Sequence, residues 1–280
     1  MYISDETIDK LISEDVPYFD LTTWVLDIGS QQGRIQFFSR ENAVLCGTEE
    51  VVRIFEKFKI QTIFSLPSGT MIEPNQIFLE GEGRADALHL AWKVSQNLLD
   101  SCSGIATKTK RINDTVRAIN PQISVVSTRK SFPGIKQLCV KAVLQGGGFP
   151  HRLGLSETVL VFKQHMNFCG GMDGFIALIP QLKHKISEKK LIVEAESMED
   201  GIRLAKAGVD GIQFDKLSVE SLSKGIPVIR EIDRKIVLLA AGGVDEHNAA
   251  QYALTGVDVI VSTSLFHAKP TDIGVKINPL

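Results

Sequence analysis

The chain has 280 residues, of which 44% are hydrophobic and 23% charged, and its formal net charge is −2. That length suits one large or two modest domains, and the composition is globular rather than disordered or fibrous. So small a net charge gives no general attraction to nucleic acid or anionic membranes, and any bound anion must be met by a local cluster of Lys and Arg.

The acidic, polar start, residues 1–10, does not read as a secretory signal, and apolar runs such as 235–242 are too short to span a bilayer. The expectation is a cytoplasmic protein with small-molecule substrates and no membrane or nucleic-acid partner. Cys46, Cys102, Cys139 and Cys169 are widely spaced, form no metal-type pair, and read as reduced, mostly buried thiols.

In chain order, the first hundred residues read as a small α+β module. A helical start is followed by alternating runs at 34–38 and 76–81, a helix at 49–58, and a long helical segment at 85–100 leading out of the module. From about residue 123, β-rich runs alternate with amphipathic segments. The runs are 123–127, 159–162, 191–195, 211–214, 236–240 and 257–261, and helices are expected at 173–186, 198–207, 219–229 and 245–254. Six such units are too few for a closed eight-unit barrel, so periodicity leaves an incomplete barrel and an open doubly wound sheet both standing. Polar or glycine-rich clusters at nearly every strand end favour the barrel, whose chemistry collects at the carboxyl ends of its strands. The tail, 272–278, alternates and is expected to return as an edge strand of the first module. The expected division is therefore an N-terminal α/β domain of 1–104, rejoined by 269–280, and a barrel domain of 105–268.

Those strand ends carry the candidate chemistry. Arg129 and Lys130 precede the turn Ser131-Phe132-Pro133-Gly134, and His151 and Arg152 follow three glycines, 146–148, so each pair of side chains can meet an anion beside exposed backbone. Glu194 and Asp215 end consecutive strands, where two carboxylates can share a magnesium ion or a sugar; a structural pairing with Lys130 or Lys216 is the competing reading. Gly242-Gly243, together with Ser262, Thr263 and Ser264, has the composition of a phosphate cradle. Cations, carboxylates and a cradle together suit a polyanionic sugar phosphate. Phosphoribosyl pyrophosphate fits, since carboxylates can stabilise the positive charge left on its ribose carbon as pyrophosphate departs.

Several stretches resemble the quinolinate phosphoribosyltransferase family: Ser103-Gly104-Ile105-Ala106-Thr107, Thr128-Arg129-Lys130-Ser131 with Pro133-Gly134, His151-Arg152-Leu153-Gly154-Leu155, the 240–244 segment, and Glu14-Asp15 with Asp20-Leu21-Thr22. The similarity runs in order over nearly the whole chain, and more narrowly it resembles the ModD branch, associated with molybdenum transport loci. The resemblance implies an N-terminal α/β sandwich followed by an incomplete α/β barrel of the type II phosphoribosyltransferase kind. It also implies a homodimer or larger assembly in which one subunit's N-terminal module roofs the next subunit's barrel. It implies that Arg129, His151 and Arg152 hold an acidic acceptor and that Lys130 contacts phosphoribosyl pyrophosphate. Glu194 and Asp215 would serve the ribose and magnesium, and Gly242 the 5′-phosphate.

The chain departs from the family's pattern at four places. Trp92-Lys93 stands for a Glu-Arg pair, Phe162 for a strand-end lysine, Lys216 for an asparagine, and Thr263 for a late phosphate-binding glycine. Phe162 can neither neutralise a carboxylate nor donate a hydrogen bond, and Lys93 lacks the two-pronged fit of arginine. Strand alternation predicts that Lys163 points away from Phe162 and does not compensate. The expected activity is transfer of phosphoribose to an aromatic or heterocyclic acceptor other than quinolinate, linked to molybdenum transport or metabolism. The alternatives are a non-catalytic anion- or nucleotide-binding protein on the same fold, and a true quinolinate enzyme of NAD biosynthesis. An aldolase or isomerase would want a Schiff-base lysine or a lone general base on a strand, and no residue stands out for either.

Overall fold

The computed structural model describes residues Met1–Leu280. Helices α1 (Asp5–Asp15) and α2 (Leu21–Val25) open the chain, followed by β1 (Gln32–Ser39), β2 (Ala43–Val44), α3 (Thr48–Lys57), β3 (Gln61–Ser65), β4 (Met71–Ile72), β5 (Ile77–Arg84) and α4 (Ala85–Ile119). Next come β6 (Ser124–Ser127), α5 (Lys136–Gln145), β7 (Phe149–Pro150), β8 (Val159–Val161), α6 (Lys163–Met166) and α7 (Gly171–Lys185). The chain ends with β9 (Leu191–Ala195), α8 (Met198–Lys206), β10 (Gly211–Asp215), α9 (Val219–Ile232), β11 (Val237–Ala241), α10 (Ala249–Ala253), β12 (Val259–Ser262) and β13 (Ile273–Pro279). No helix is long and apolar enough to cross a membrane.

Packing divides the chain into two units, Met1–Lys110 with Ser131–Gly147 and Phe266–Leu280, and Arg111–Lys130 with Gly148–Leu265. The expected seam at 104/105 falls inside α4, and α5, which the sequence reading assigned to the barrel, clusters with the first unit.

The first unit holds an antiparallel sheet in the order β13-β1-β5-β3. As its alternation predicts, the tail returns as an edge strand, β13, beside β1. One face of β1 is buried at Ile35 and Phe37, and α3 buries Val51, Ile54 and Phe55 at helical spacing. The rings of Phe37 and Phe55 lie 6.3 Å apart, centroid to centroid.

Helix α4 runs for 35 residues, well beyond the expected end at 100. Gly104 lies within it, where a Cβ would run into the carbonyl of Lys269; the glycine makes room for the returning chain. Ser103 Oγ accepts a hydrogen bond from the Cys46 amide at 3.0 Å, and Thr107 Oγ1 one from the Val44 amide at 2.8 Å. Three residues of the Ser-Gly-Ile-Ala-Thr run thus dock the helix within this unit. All four cysteines are free, with Cys46, Cys102 and Cys139 buried and Cys169 partly so.

The second unit holds a sheet of seven parallel strands in the order β7-β6-β12-β11-β10-β9-β8. Every strand lies beside its successor except β7 and β8, and the last strand, β12, pairs with the first, β6. A doubly wound sheet would reverse direction at a switch point; this order is instead a barrel ring opened between β7 and β8. The sheet is a curled, incomplete barrel, as the strand-end clusters and the resemblance imply. It has one strand more than expected, since β7 spans only two residues and is too short to show a period.

Register decides which side chains face the interior. Val161 pairs with Val193, Glu194 lies level with Gln213, Asp215 with Ala241, Val261 with Val126, and Val126 with Phe149. Val126, Leu160, Ile192, Leu239, Ala241 and Val261 form one buried apolar cluster, with Phe162 packed against it. Because side chains alternate along a strand, the interior positions at or just beyond the carboxyl ends are Phe162, Glu194, Gln213, Asp215, Thr263, Thr128 and His151.

Candidate active site

The interior layer thus gathers five of the sequence-predicted site residues, Phe162, Glu194, Asp215, Thr263 and His151, over an apolar floor. Glu194 is half-buried, and Gln213 Nε2 donates a hydrogen bond to its Oε2 at 2.9 Å. Burial pushes the Glu194 carboxyl up from its ordinary range. The Gln213 hydrogen bond opposes that shift, the Asp215 and Glu196 carboxylates add to it, and the Lys130 ammonium opposes it again. The Lys130 backbone amide is held by Thr128 Oγ1 at 3.1 Å. Thr128 Oγ1 also lies 3.1 Å from Thr263 Oγ1, tying the ends of β6 and β12 together.

Asp215 faces the glycine pair. Gly242 and Gly243 have φ of +82° and +79°, in the left-handed region that glycine enters at little cost. A Cβ on Gly242 would lie 2.5 Å from Asp215 Oδ1 and 2.8 Å from the Lys216 amide nitrogen, whereas one on Gly243 would meet nothing within 4 Å. Lys216 itself has φ +59°, a region where asparagine is far commoner than lysine, which fits the family's asparagine at this place.

On the other side of the opening, His151 is held by a hydrogen bond from its amide to the Ser127 carbonyl at 3.0 Å. Its Nε2 is buried without a partner. Burial, and after it the Arg152 charge, lowers the His151 pKa and favours the neutral ring. The Arg152 guanidinium is in turn disfavoured by partial burial and by the nearby charge of Arg129. Two guanidiniums and an orphaned imidazole nitrogen at the ends of the paired strands β6 and β7 make a site for an anionic or hydrogen-bonding ligand.

Two expectations change. The Ser262 hydroxyl lies on the outer face, donates to the Val244 carbonyl and contacts Ser264 Oγ at 2.8 Å, so Ser262 and Ser264 brace the glycine loop rather than offer free hydroxyls. Strand β8 ends at Val161, and Phe162 caps the short helix α6, its amide donating to His165 Nδ1 at 3.0 Å. Strand alternation therefore does not govern Lys163, whose ammonium pairs with Glu196 at 2.8 Å. Lys93 belongs to the first unit, where its ammonium lies 4.5 Å from the centre of the Trp92 ring and 3.2 Å from Gln96 Oε1.

The sequence reading missed Gln213. Its signal was a polar residue two places before Asp215, hence on the same strand face, within an otherwise apolar run. No group of three or more His, Cys, Asp or Glu is gathered as a metal cage. Two carboxylates suit magnesium that arrives with substrate phosphates, because that ion keeps several waters and needs few protein ligands.

Two family models match the chain: quinolinate phosphoribosyl transferase, N-terminal domain, over residues 20–103, and its C-terminal domain over residues 105–276. The chain belongs to the quinolinate phosphoribosyltransferase family. It is a phosphoribosyltransferase, an enzyme of the pentosyltransferase class. Relatives include proteins provisionally named pyrophosphorylase ModD. That from Pasteurella multocida is 34% identical, covering 98% of both chains, and that from Rhodobacter capsulatus is 35% identical over 89% of this chain and 96% of its own. The nicotinate-nucleotide pyrophosphorylase of Ehrlichia chaffeensis superposes with a TM-score of 0.89 at 27% identity, covering 99% of this chain and 100% of that one. NadC from Streptococcus pyogenes gives a TM-score of 0.88 at 26% identity, covering 100% and 99%.

Proposed function

We propose that this enzyme transfers phosphoribose from phosphoribosyl pyrophosphate to a flat aromatic or heterocyclic acceptor less acidic than quinolinate. The observation that carries the reading is Phe162, half-buried on the interior floor beside Glu194. The resemblance puts a lysine there, and the next cation along the chain, Lys163, is engaged by Glu196. A second carboxylate on the acceptor would face an aromatic ring, and burying a charge without a partner costs several kcal/mol. The same ring can stack on a planar acceptor.

In this reading Arg129 and Arg152 meet an anionic or hydrogen-bond-accepting group of the acceptor, and neutral His151 turns its Nε2 to the same group. Lys130 neutralises the pyrophosphate. The bond from the ribose carbon to pyrophosphate breaks as the bond from that carbon to the acceptor's nitrogen forms, and the Glu194 and Asp215 carboxylates stabilise the positive charge developing between them. The Gly242-Gly243 loop, with Thr263 beside Thr128, holds the 5′-phosphate. Magnesium would be held by Glu194 and Asp215 and would supply charge neutralisation of the departing pyrophosphate.

The link to molybdenum transport or metabolism comes from the resemblance to the ModD branch and belongs to the same proposal. A homodimer is also proposed, supported by Tyr18, Phe19, Leu21, Trp24, Val25 and Leu26, each at least 60% exposed within nine residues, a denser apolar run than a free surface carries. A second reading, quinolinate itself as acceptor, draws on the likeness to the Ehrlichia chaffeensis enzyme.

The test is a screen for pyrophosphate release from phosphoribosyl pyrophosphate and magnesium with candidate heterocycles, using Asp215→Asn as the control. Release with a monocarboxylic or uncharged heterocycle, lost in the control, supports the proposal. Release with none, or an unchanged rate in a folded Asp215→Asn protein, overturns it.

A further inference from the structure

Gln213 is 6% exposed and lies on the interior face of β10, level with Glu194 on β9 and Leu239 on β11. A buried amide weakens an apolar floor unless it is hydrogen-bonded, so its retention calls for a partner. That partner is Glu194 Oε2, at 2.9 Å. The carboxylate it holds is acted on by Asp215, Glu196 and Lys130. A neutral donor fixed on the neighbouring strand ties one oxygen of Glu194 to β10 and leaves the other for a ligand.

We propose that Gln213 is a positioning residue that fixes the Glu194 carboxylate over the barrel floor in the orientation used to bind the ribose of phosphoribosyl pyrophosphate. The inference rests on the function proposed above for Glu194. It differs from a packing role in one respect: Gln213 acts only through Glu194. Gln213→Met keeps the length of the side chain and removes the donor, and an apolar group of similar volume suits the floor, so the fold is retained.

The experiment is a double-mutant cycle read by calorimetric titration with phosphoribosyl pyrophosphate and magnesium, joined to crystal structures of the wild type and Gln213→Met. The expected result is an affinity about tenfold weaker in Gln213→Met, no further loss when Gln213→Met is added to Glu194→Ala, and a Glu194 carboxylate displaced in the crystal, since the coupling of contacting residues shows as non-additivity. Equal losses in the two backgrounds, or full affinity in Gln213→Met, would overturn the proposal. A wild type that does not bind phosphoribosyl pyrophosphate would refute the assigned function instead. The crystal structures would then decide the positioning claim alone: Glu194 unmoved in Gln213→Met overturns it, and Glu194 displaced sustains it.

Discussion

The backbone of Gly242 passes so close to Asp215 that a Cβ would lie 2.5 Å from its Oδ1. Gly243, one residue on, has nearly the same left-handed φ but open space where its side chain would be. Alanine at either position meets a similar backbone penalty, about 1–2 kcal/mol. Only Gly242→Ala displaces the carboxylate. The expected outcome is greater thermal destabilisation in Gly242→Ala, where the Cβ also presses on the Lys216 amide, with turnover of the folded protein at least about tenfold lower than in Gly243→Ala. Equal turnover in the two would separate Asp215 from the reaction.

Lys141 is 5% exposed, and its ammonium lies 2.6 Å from Glu50, itself 3% exposed, and 2.7 Å from Glu49. These contacts tie α5 to α3 within the first unit. Removing the lysine leaves a buried carboxylate without its cation, at a cost of about 3–5 kcal/mol. Urea unfolding of Lys141→Met should show that loss, and Lys141→Met with Glu50→Leu should recover most of it, because an apolar pair of similar volume replaces a buried ion pair well.

Asp100, on α4, is half-buried and accepts a hydrogen bond from the Ile273 amide at 3.3 Å. Burial pushes its carboxyl up to about 6, opposed in part by that hydrogen bond. An unfolded aspartate titrates near about 3.9. Between those values the folded state binds more protons, so stability declines as pH rises through about 4 to 6, and the full penalty is present at neutral pH. Asp100→Asn should melt higher than the wild type at pH 7.5, and the gap should shrink toward pH 4. A gap independent of pH would contradict the assignment.

Much of the barrel was legible in the sequence because its cues are local. Glu194, Asp215 and Gly242 each end an apolar run, and a polar residue that ends a barrel strand faces the mouth. What was missed depends on register or on contacts distant in sequence. Gln213 shares the face of Asp215 by its two-residue spacing, but its contact with Glu194 depends on β10 lying level with β9, which periodicity within one strand cannot show. Lys163 was expected to point away from Phe162 by strand alternation; it does not serve the site for a different reason, its ion pair with Glu196 33 residues later. Ser262 looked like a phosphate contact by composition, yet its hydroxyl is taken by Val244, whose place beside it only the fold reveals. The length of α4 was missed because the packing of Gly104 against the chain at Lys269 joins residues far apart in sequence.

The apolar run around Trp24 should be covered in solution. Sedimentation at micromolar concentration is expected to give at least twice the 30.8 kDa chain mass. Trp24→Glu should lower that value, since a charge placed in an apolar interface goes unpaired. A stable, active wild-type monomer would contradict the homodimer.

The central claim is that most of the phosphoribosyl half of the site is kept and the acceptor half has changed at Phe162. It is tested most directly by the steady-state rate of nicotinate mononucleotide formation from quinolinate, phosphoribosyl pyrophosphate and magnesium, in the wild type and in Phe162→Lys. The account predicts a wild-type kcat/KM below about 10² M⁻¹s⁻¹ and a rise of at least about tenfold on restoring the cation. A wild-type value near about 10⁴ M⁻¹s⁻¹ or above, unimproved by the lysine, would show that this enzyme accepts quinolinate as it stands.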